Sequence, residues 1–167
     1  PLVLTLVFSF CPIIILFVLV QKYGVDFPYW DEWLLLDPIE KYYDGSLTFN
    51  DFWKSRIGGG EQKFFVSVAI SFILMTATRF NVIYGMYFNI FLAFLTYLII
   101  IRHLGRNREI FQIENYYRWL YIFLSVFIFS LVQVECWLWG LEIHMFLNLL
   151  SVVCGAYILS NYKLNKT

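Results

Sequence analysis

Charge is scarce in this chain: only 14% of its 167 residues are Asp, Glu, Lys or Arg, and the acidic and basic residues cancel. With no basic excess and no basic stripe, the sequence has no electrostatic footprint for nucleic acid, so no nucleic-acid partner is expected. Cysteine is scarce too. Cys11, Cys136 and Cys154 form neither a metal-ligand spacing nor a disulfide framework, and they read as small buried hydrophobes. His144 has no second His or Cys at ligand spacing, which removes it as a metal ligand.

What is present is apolar. Hydrophobic residues make up 60% of the chain and aromatic residues 22%, far above ordinary soluble usage. The charges gather in residues 22–63, in residues 102–118, and at Lys163 and Lys166. A membrane protein, partnered by the lipid bilayer, is the class this distribution predicts.

About 20 apolar residues cross about 30 Å of hydrocarbon as a helix. Leu2 to Val20 qualifies without a charge, and it lacks the basic flank and small-residue cleavage site of a signal peptide. Val82–Ile101, Tyr116–Val134 and Trp137–Tyr162 are further spans. Phe64–Phe80 is shorter, bounded by Lys63 and Arg79, with Ser67, Ser71 and Thr78 at near-helical spacing. If it crosses, residues 21–63 and the loop holding Arg102, Arg106, Arg108 and Arg118 share one side. If it does not, they lie on opposite sides and the positive-inside bias is met. Residues 21–63 hold eight acidic residues against five basic ones, so they are expected on the extracytoplasmic side. The predicted fold is an all-α bundle of four spans, five if Phe64–Phe80 crosses, forming one membrane domain over residues 1–167. Phe64–Phe80 then lies in or dips into the outer leaflet.

The outer loop carries its own order. Asp37, Pro38 and Glu40 resemble an N-cap, a first-turn proline and a capping carboxylate, opening a short helix that ends near Gly45. Thr48 with Asp51 repeats the device. Trp30, Trp33 and Trp53 suit the headgroup level, so the loop is expected to lie on the membrane surface. Asp31 and Glu32 are adjacent carboxylates between aromatics. They either share a low-dielectric site that raises a pKa or invites a cation, or simply begin a short helix and favour its dipole. Gly58, Gly59 and Gly60 give a flexible approach to Glu61 and Lys63, and Lys63 has the charge to meet a lipid phosphate. Glu135 falls at the turn between the third and fourth spans, on the same face as Asp31 in the four-span arrangement. Glu142 lies deeper, where an ionisable group is a functional candidate or a structurally paired one.

The segments PYWDEW (28–33), GSLTFNDFW (45–53) and ECWLWGLEIHMFL (135–147) resemble parts of a group of bacterial multi-pass proteins of the GT-C glycosyltransferase superfamily. That group's pattern reads close to N-E-H-R after the short helices and E-N-W-L-W-G later. This chain matches at Glu61, Glu135, Trp137, Leu138, Trp139 and Gly140, and departs at Gln62, Lys63 and Cys136. The resemblance implies an N-terminal portion of a longer GT-C-like fold in the cell membrane. It also implies transfer of a sugar from a polyprenyl-phosphate-linked donor to an acceptor at the outer face. Asp31 is then the catalytic base or the ligand of a divalent cation, Mg or Mn, with Glu32 as the neighbouring candidate. Glu61, Lys63, Glu135, Trp139 and Glu142 are the substrate-binding candidates. The competing expectation is a non-enzymatic component, a lipid-linked-sugar transporter or an assembly scaffold.

Overall fold

The computed structural model describes residues 2–53, 65–107 and 116–164, without the side chains of residues 2, 3, 6, 52, 53, 163 and 164. Glu61, Lys63 and the Gly58–Gly60 run lie outside the described residues. Eight α-helices are described: α1 (Leu2–Tyr23), α2 (Leu36–Tyr43), α3 (Phe49–Trp53), α4 (Phe65–Ala77), α5 (Ile83–Arg106), α6 (Tyr117–Ile128), α7 (Val134–Leu138) and α8 (Ile143–Leu164). Short 3-10 turns cover Trp30–Leu35, Leu131–Gln133 and Gly140–Glu142.

Helix α5 is the centre of the bundle. Its buried residues Met86, Asn89, Ile90, Ala93, Thr96 and Tyr97 recur at three- and four-residue spacing, which makes one continuous core-facing stripe. Helices α1, α6 and α8 pack around it. Ser125 on α6, fully buried, donates its hydroxyl to the Ser9 carbonyl on α1, and Tyr97 Oη donates to the Tyr121 carbonyl at 3.3 Å.

The polar contacts fix the direction of each helix. At the start of α5 the Val82 N–H donates to Asp26 Oδ1, just beyond α1, at 3.0 Å. At its other end Tyr121 Oη donates to the Ile101 carbonyl at 3.2 Å and Arg102 Nε donates to Tyr157 Oη at 3.3 Å. Helix α5, at 24 residues, is about 36 Å long. The acidic loop and the first arginines of residues 102–118 therefore lie at opposite ends of the bundle, called here the loop end and the arginine end.

Three helical stretches among the described residues are long and apolar enough to cross a membrane: Ile83–Arg106, Tyr117–Leu138 and Gly140–Tyr162. Helix α1 has 22 residues, of which the described apolar stretch is Val7–Tyr23. Helix α4 has 13 residues, about 20 Å, short of the hydrocarbon thickness. It packs on α2, α3, the Gly140–Glu142 turn and the adjoining helices, and it ends beside the start of α5. The reversal uses two left-handed residues, Arg79 (φ 57) and Phe80 (φ 66).

Several local expectations change. The third stretch is not one rod: α6 stops at Ile128, where buried Phe129 and extended Ser130 break it, and Trp137 Nε1 donates to the Ser130 carbonyl at 2.9 Å across the break. Trp137 belongs to α7, and the last helix begins only at Ile143. Asp37 does not cap α2, because the preceding 3-10 turn runs into the helix through Leu35, whose backbone is already helical. Instead Asp37 accepts from Lys41 Nζ at 2.7 Å. Of the second device the carboxylate half forms: Asp51 accepts from the Thr48 N–H at 2.7 Å and from its hydroxyl at 2.6 Å, while the Asp51 N–H donates to the Thr48 carbonyl at 3.1 Å rather than to that hydroxyl. Lys41 also reaches Asp51 at 2.8 Å, tying α2 to α3. Cys11 is exposed on the outer side of α1 rather than buried.

Candidate aromatic and carboxylate site at the loop end

The site is assembled by one buried carboxylate. Glu32 is 1% exposed, in the 3-10 turn that follows α1. Its Oε2 accepts the Tyr29 N–H at 2.7 Å, closing the turn on itself. Its Oε1 accepts the Leu141 N–H at 3.1 Å, more than a hundred residues away in sequence. Both oxygens are thus committed to backbone donors. Burial pushes the Glu32 carboxyl above its ordinary value, against the lowering effect of the Tyr29, Leu141 and Gly140 backbone.

Small residues let the Gly140–Glu142 turn come this close. A Cβ on Gly140 would stand 3.0 Å from Glu32 Oε1 and 3.0 Å from the Val82 carbonyl. One on Gly85 would stand 2.9 Å from Gly140 Cα, so α5 and the turn touch backbone to backbone. The end of α7 leaves carbonyls without helical partners. Asn89, fully buried on α5, satisfies two of them: its Nδ2 donates to Cys136 O at 3.2 Å and to Trp139 O at 2.9 Å.

With the turn held under Glu32, Tyr29 and Trp30 stand beside Trp139. The Tyr29 and Trp139 rings meet edge-on at 5.6 Å, Trp30 and Trp139 at 6.3 Å, and Tyr29 stacks near Trp30 at 6.1 Å. Trp30 takes a left-handed backbone (φ 45), a conformation a bulky residue adopts only when its surroundings hold it there. The cavity beside these rings has a volume of about 400 Å³ and is lined by Tyr29, Trp30, Val134, Glu135, Leu138 and Trp139. Glu135, in the first turn of α7, is exposed and brings a carboxylate to its wall. The Trp139 indole N–H is buried without a hydrogen-bond partner among the described residues.

Asp31 is half-buried, directly after Trp30, and does not line the cavity. Glu142 ends the Gly140–Glu142 turn, half-buried, within electrostatic reach of His144. It stands at the head of α8 rather than deep in a span, because that helix starts later than its hydropathy predicts. A second groove of about 280 Å³ runs between α4 and α8, lined by Phe65, Val66, Ser67, His144, Leu147, Asn148 and Ser151. Among the described residues no three His, Cys, Asp or Glu side chains come together, and each Glu32 oxygen accepts a backbone hydrogen bond.

Sequence reasoning singled out Glu135 and Trp139, which line the cavity, and missed Tyr29, Trp30, Gly85 and Asn89, which wall or position it. An asparagine in the middle of an apolar run was the available signal for Asn89, since an amide at that depth needs partners. Comparison of the chain with protein-family models, with curated proteins and with solved structures returns no match.

Proposed function

We propose that the protein is a multi-pass membrane glycosyltransferase that takes a sugar from a polyprenyl-phosphate-linked donor and passes it to an acceptor hydroxyl at the outer face of the membrane. In this reading α1 is a fourth span, α4 stays in the outer leaflet, and the arginine end faces the cytoplasm. The observation that carries it is the loop-end cavity, in which three aromatic rings and the Glu135 carboxylate converge. Flat aromatic walls complement the C–H faces of a pyranose, and a few polar groups at the rim fix its orientation.

The transfer needs a base, a stabilised leaving group and exclusion of water. Asp31, outside the cavity lining but directly after Trp30 in its wall, takes the proton of an acceptor hydroxyl at the cavity's edge as that hydroxyl's oxygen bonds to the anomeric carbon, and the carrier phosphate departs with the electron pair of the broken C–O bond. Glu135 orients the acceptor hydroxyl, and Trp139 stacks on the sugar. Lys63 offsets charge on the leaving phosphate, with Glu61 beside it. Glu32 holds the two halves of the site together and is a positioning residue. Glu142 and His144 head the groove along α4, where the lipid tail of the carrier lies.

One observation favours the non-enzymatic alternative, a transporter or scaffold for lipid-linked sugar: half of the acidic pair is spent on backbone hydrogen bonds. The two readings part in one experiment. Full-length protein in proteoliposomes is given polyprenyl-phosphate sugar and assayed for both retention and consumption of the lipid. The transferase predicts consumption that Asp31→Asn and Glu135→Gln each lower at least tenfold, and retention that Trp139→Ala weakens. Retention without consumption makes it the transporter or scaffold, and undiminished turnover in Asp31→Asn removes Asp31 from the mechanism.

A further inference from the structure

The arginine end carries a second constellation, independent of the loop-end cavity. Arg102 and Arg106 sit one turn apart on α5, and both are exposed. Tyr157 on α8 stands opposite them, and its hydroxyl oxygen accepts from Arg102 Nε at 3.3 Å. A phenol oxygen has two lone pairs and one proton. With Arg102 on one lone pair, the proton is left to donate outward, alongside the unused N–H groups of two guanidinium forks. Among the described residues neither arginine has a carboxylate partner; the ion pairs found there are those of Lys41.

The depth of the cluster is set by α5. Arg102 lies 19 residues beyond Ile83, about 29 Å along the helix, and Arg106 about 35 Å. With the start of α5 at one interface, the two guanidinium groups stand at the headgroup level of the other leaflet. The surface leading toward the bundle centre is greasy: Leu98, one turn before Arg102, is 37% exposed.

We infer that Arg102, Arg106 and the Tyr157 hydroxyl form a headgroup site for an anionic phospholipid. The guanidinium forks take the phosphate oxygens, the Tyr157 O–H supplies a further donor, and the acyl chains run over Leu98. Two like charges one turn apart repel, and a bridging phosphate turns that repulsion into shared attraction. A soluble phosphate satisfies the same donors but leaves the apolar surface below them uncovered, so the site commits to a lipid.

The test uses delipidated full-length protein in neutral detergent, with thermal unfolding followed during titration of short-chain phosphatidylglycerol, short-chain phosphatidylcholine or inorganic phosphate. Phosphatidylglycerol raises the midpoint and the other two do not. The Arg102→Gln/Arg106→Gln variant needs at least tenfold more phosphatidylglycerol for the same shift, and Tyr157→Phe needs severalfold more. Equal response to phosphatidylcholine would show general lipid solvation, and equal response to inorganic phosphate a soluble-anion site; either overturns the inference, as does an unshifted double variant. If the double variant does not fold, Tyr157→Phe alone decides, because it removes one oxygen and leaves the helices their packing. An unshifted titration then overturns the site.

Discussion

Glu32 is the single side chain through which the loop after α1 grips the Gly140–Glu142 turn, and its removal has a calculable local effect. Replacement by Ala leaves the Tyr29 and Leu141 N–H groups without acceptors. Each buried orphan costs about 1–3 kcal/mol, while loss of the buried charge returns part of that, for a net local loss of about 3 kcal/mol. At 1.4 kcal/mol per factor of ten, that is on the order of a hundredfold in the opening equilibrium. Amide hydrogen exchange in detergent reads it directly: Tyr29 and Leu141 exchange about a hundredfold faster in Glu32→Ala, while amides at the arginine end keep their rates. Glu32→Gln falls between, because the amide offers one acceptor where the carboxylate offers two. The pH dependence carries an independent sign. Since burial raises the native carboxyl above the ordinary 4.5, the folded state holds a proton that the unfolded state has released. Stability therefore falls as pH rises from 4.5 through the native value, and is level above it. Glu32→Gln removes that contribution, so wild type minus variant shows the decline. Unchanged protection at Tyr29 and Leu141 in Glu32→Ala would refute the pin, and so would a wild-type stability that rises across that window relative to the variant.

Gly85→Ala places a methyl group 2.9 Å from Gly140 Cα, with backbone on both sides. We expect a loss of about 1–3 kcal/mol, measured by thermal unfolding, with quenching of Trp139 fluorescence increased as the turn is pushed outward. Asn89→Leu deprives two carbonyls of a donor and costs about 1–2 kcal/mol, whereas Asn89→Asp sets a carboxylate against the same carbonyls and costs more; the opposite order in unfolding midpoints would refute the assigned amide orientation. In the loop, hydrogen bonding from Lys41 and Thr48 holds the Asp51 carboxyl well below its ordinary 3.8. The contribution of this network is present above pH 3.8 and is lost as pH falls through the native value. Lys41→Met removes most of that acid dependence from α3 helicity, as read by backbone chemical shifts. Ser46→Cys, made after replacing the three native cysteines, is labelled by an impermeant maleimide from outside the cell if the loop end is extracytoplasmic.

The features legible in the sequence are those with a one-dimensional signature. Apolar runs of helical length announced α5 and α8, and the Thr48 and Asp51 spacing announced the cap of α3 because a capping box is a contact between neighbours. Asp37 failed as a cap for a reason the same rule does not contain: the chain enters α2 already helical, so no extended residue exists to carry the cap. Glu32 was legible as an unusual carboxylate but not as a pin, since its second partner is the backbone of Leu141. A backbone N–H has no residue identity to read, and pairing across that separation leaves no local pattern.

The break in the third apolar stretch shows where hydropathy misleads about a site. A straight helix continued from Tyr116 past Val134 would keep Trp137 and Trp139 on the axis of α6. Ending α6 at Ile128 and turning through Ser130 lets α7 restart at a new angle. Trp137 then faces inward, fully buried, and Trp139 faces the loop beside Tyr29 and Trp30. The interruption leaves polar backbone without helical partners, and in an apolar surround each such group must be answered from elsewhere. Asn89 answers the end of α7, Glu32 answers the Gly140–Glu142 turn, and Trp137 answers Ser130. Those three polar side chains are therefore the condition under which a helix can be broken at this depth, and the broken helix is what turns Trp139 and Glu135 toward a common cavity. A substitution that heals the break by restoring continuous helix would abolish the cavity while leaving the hydropathy of the chain unchanged.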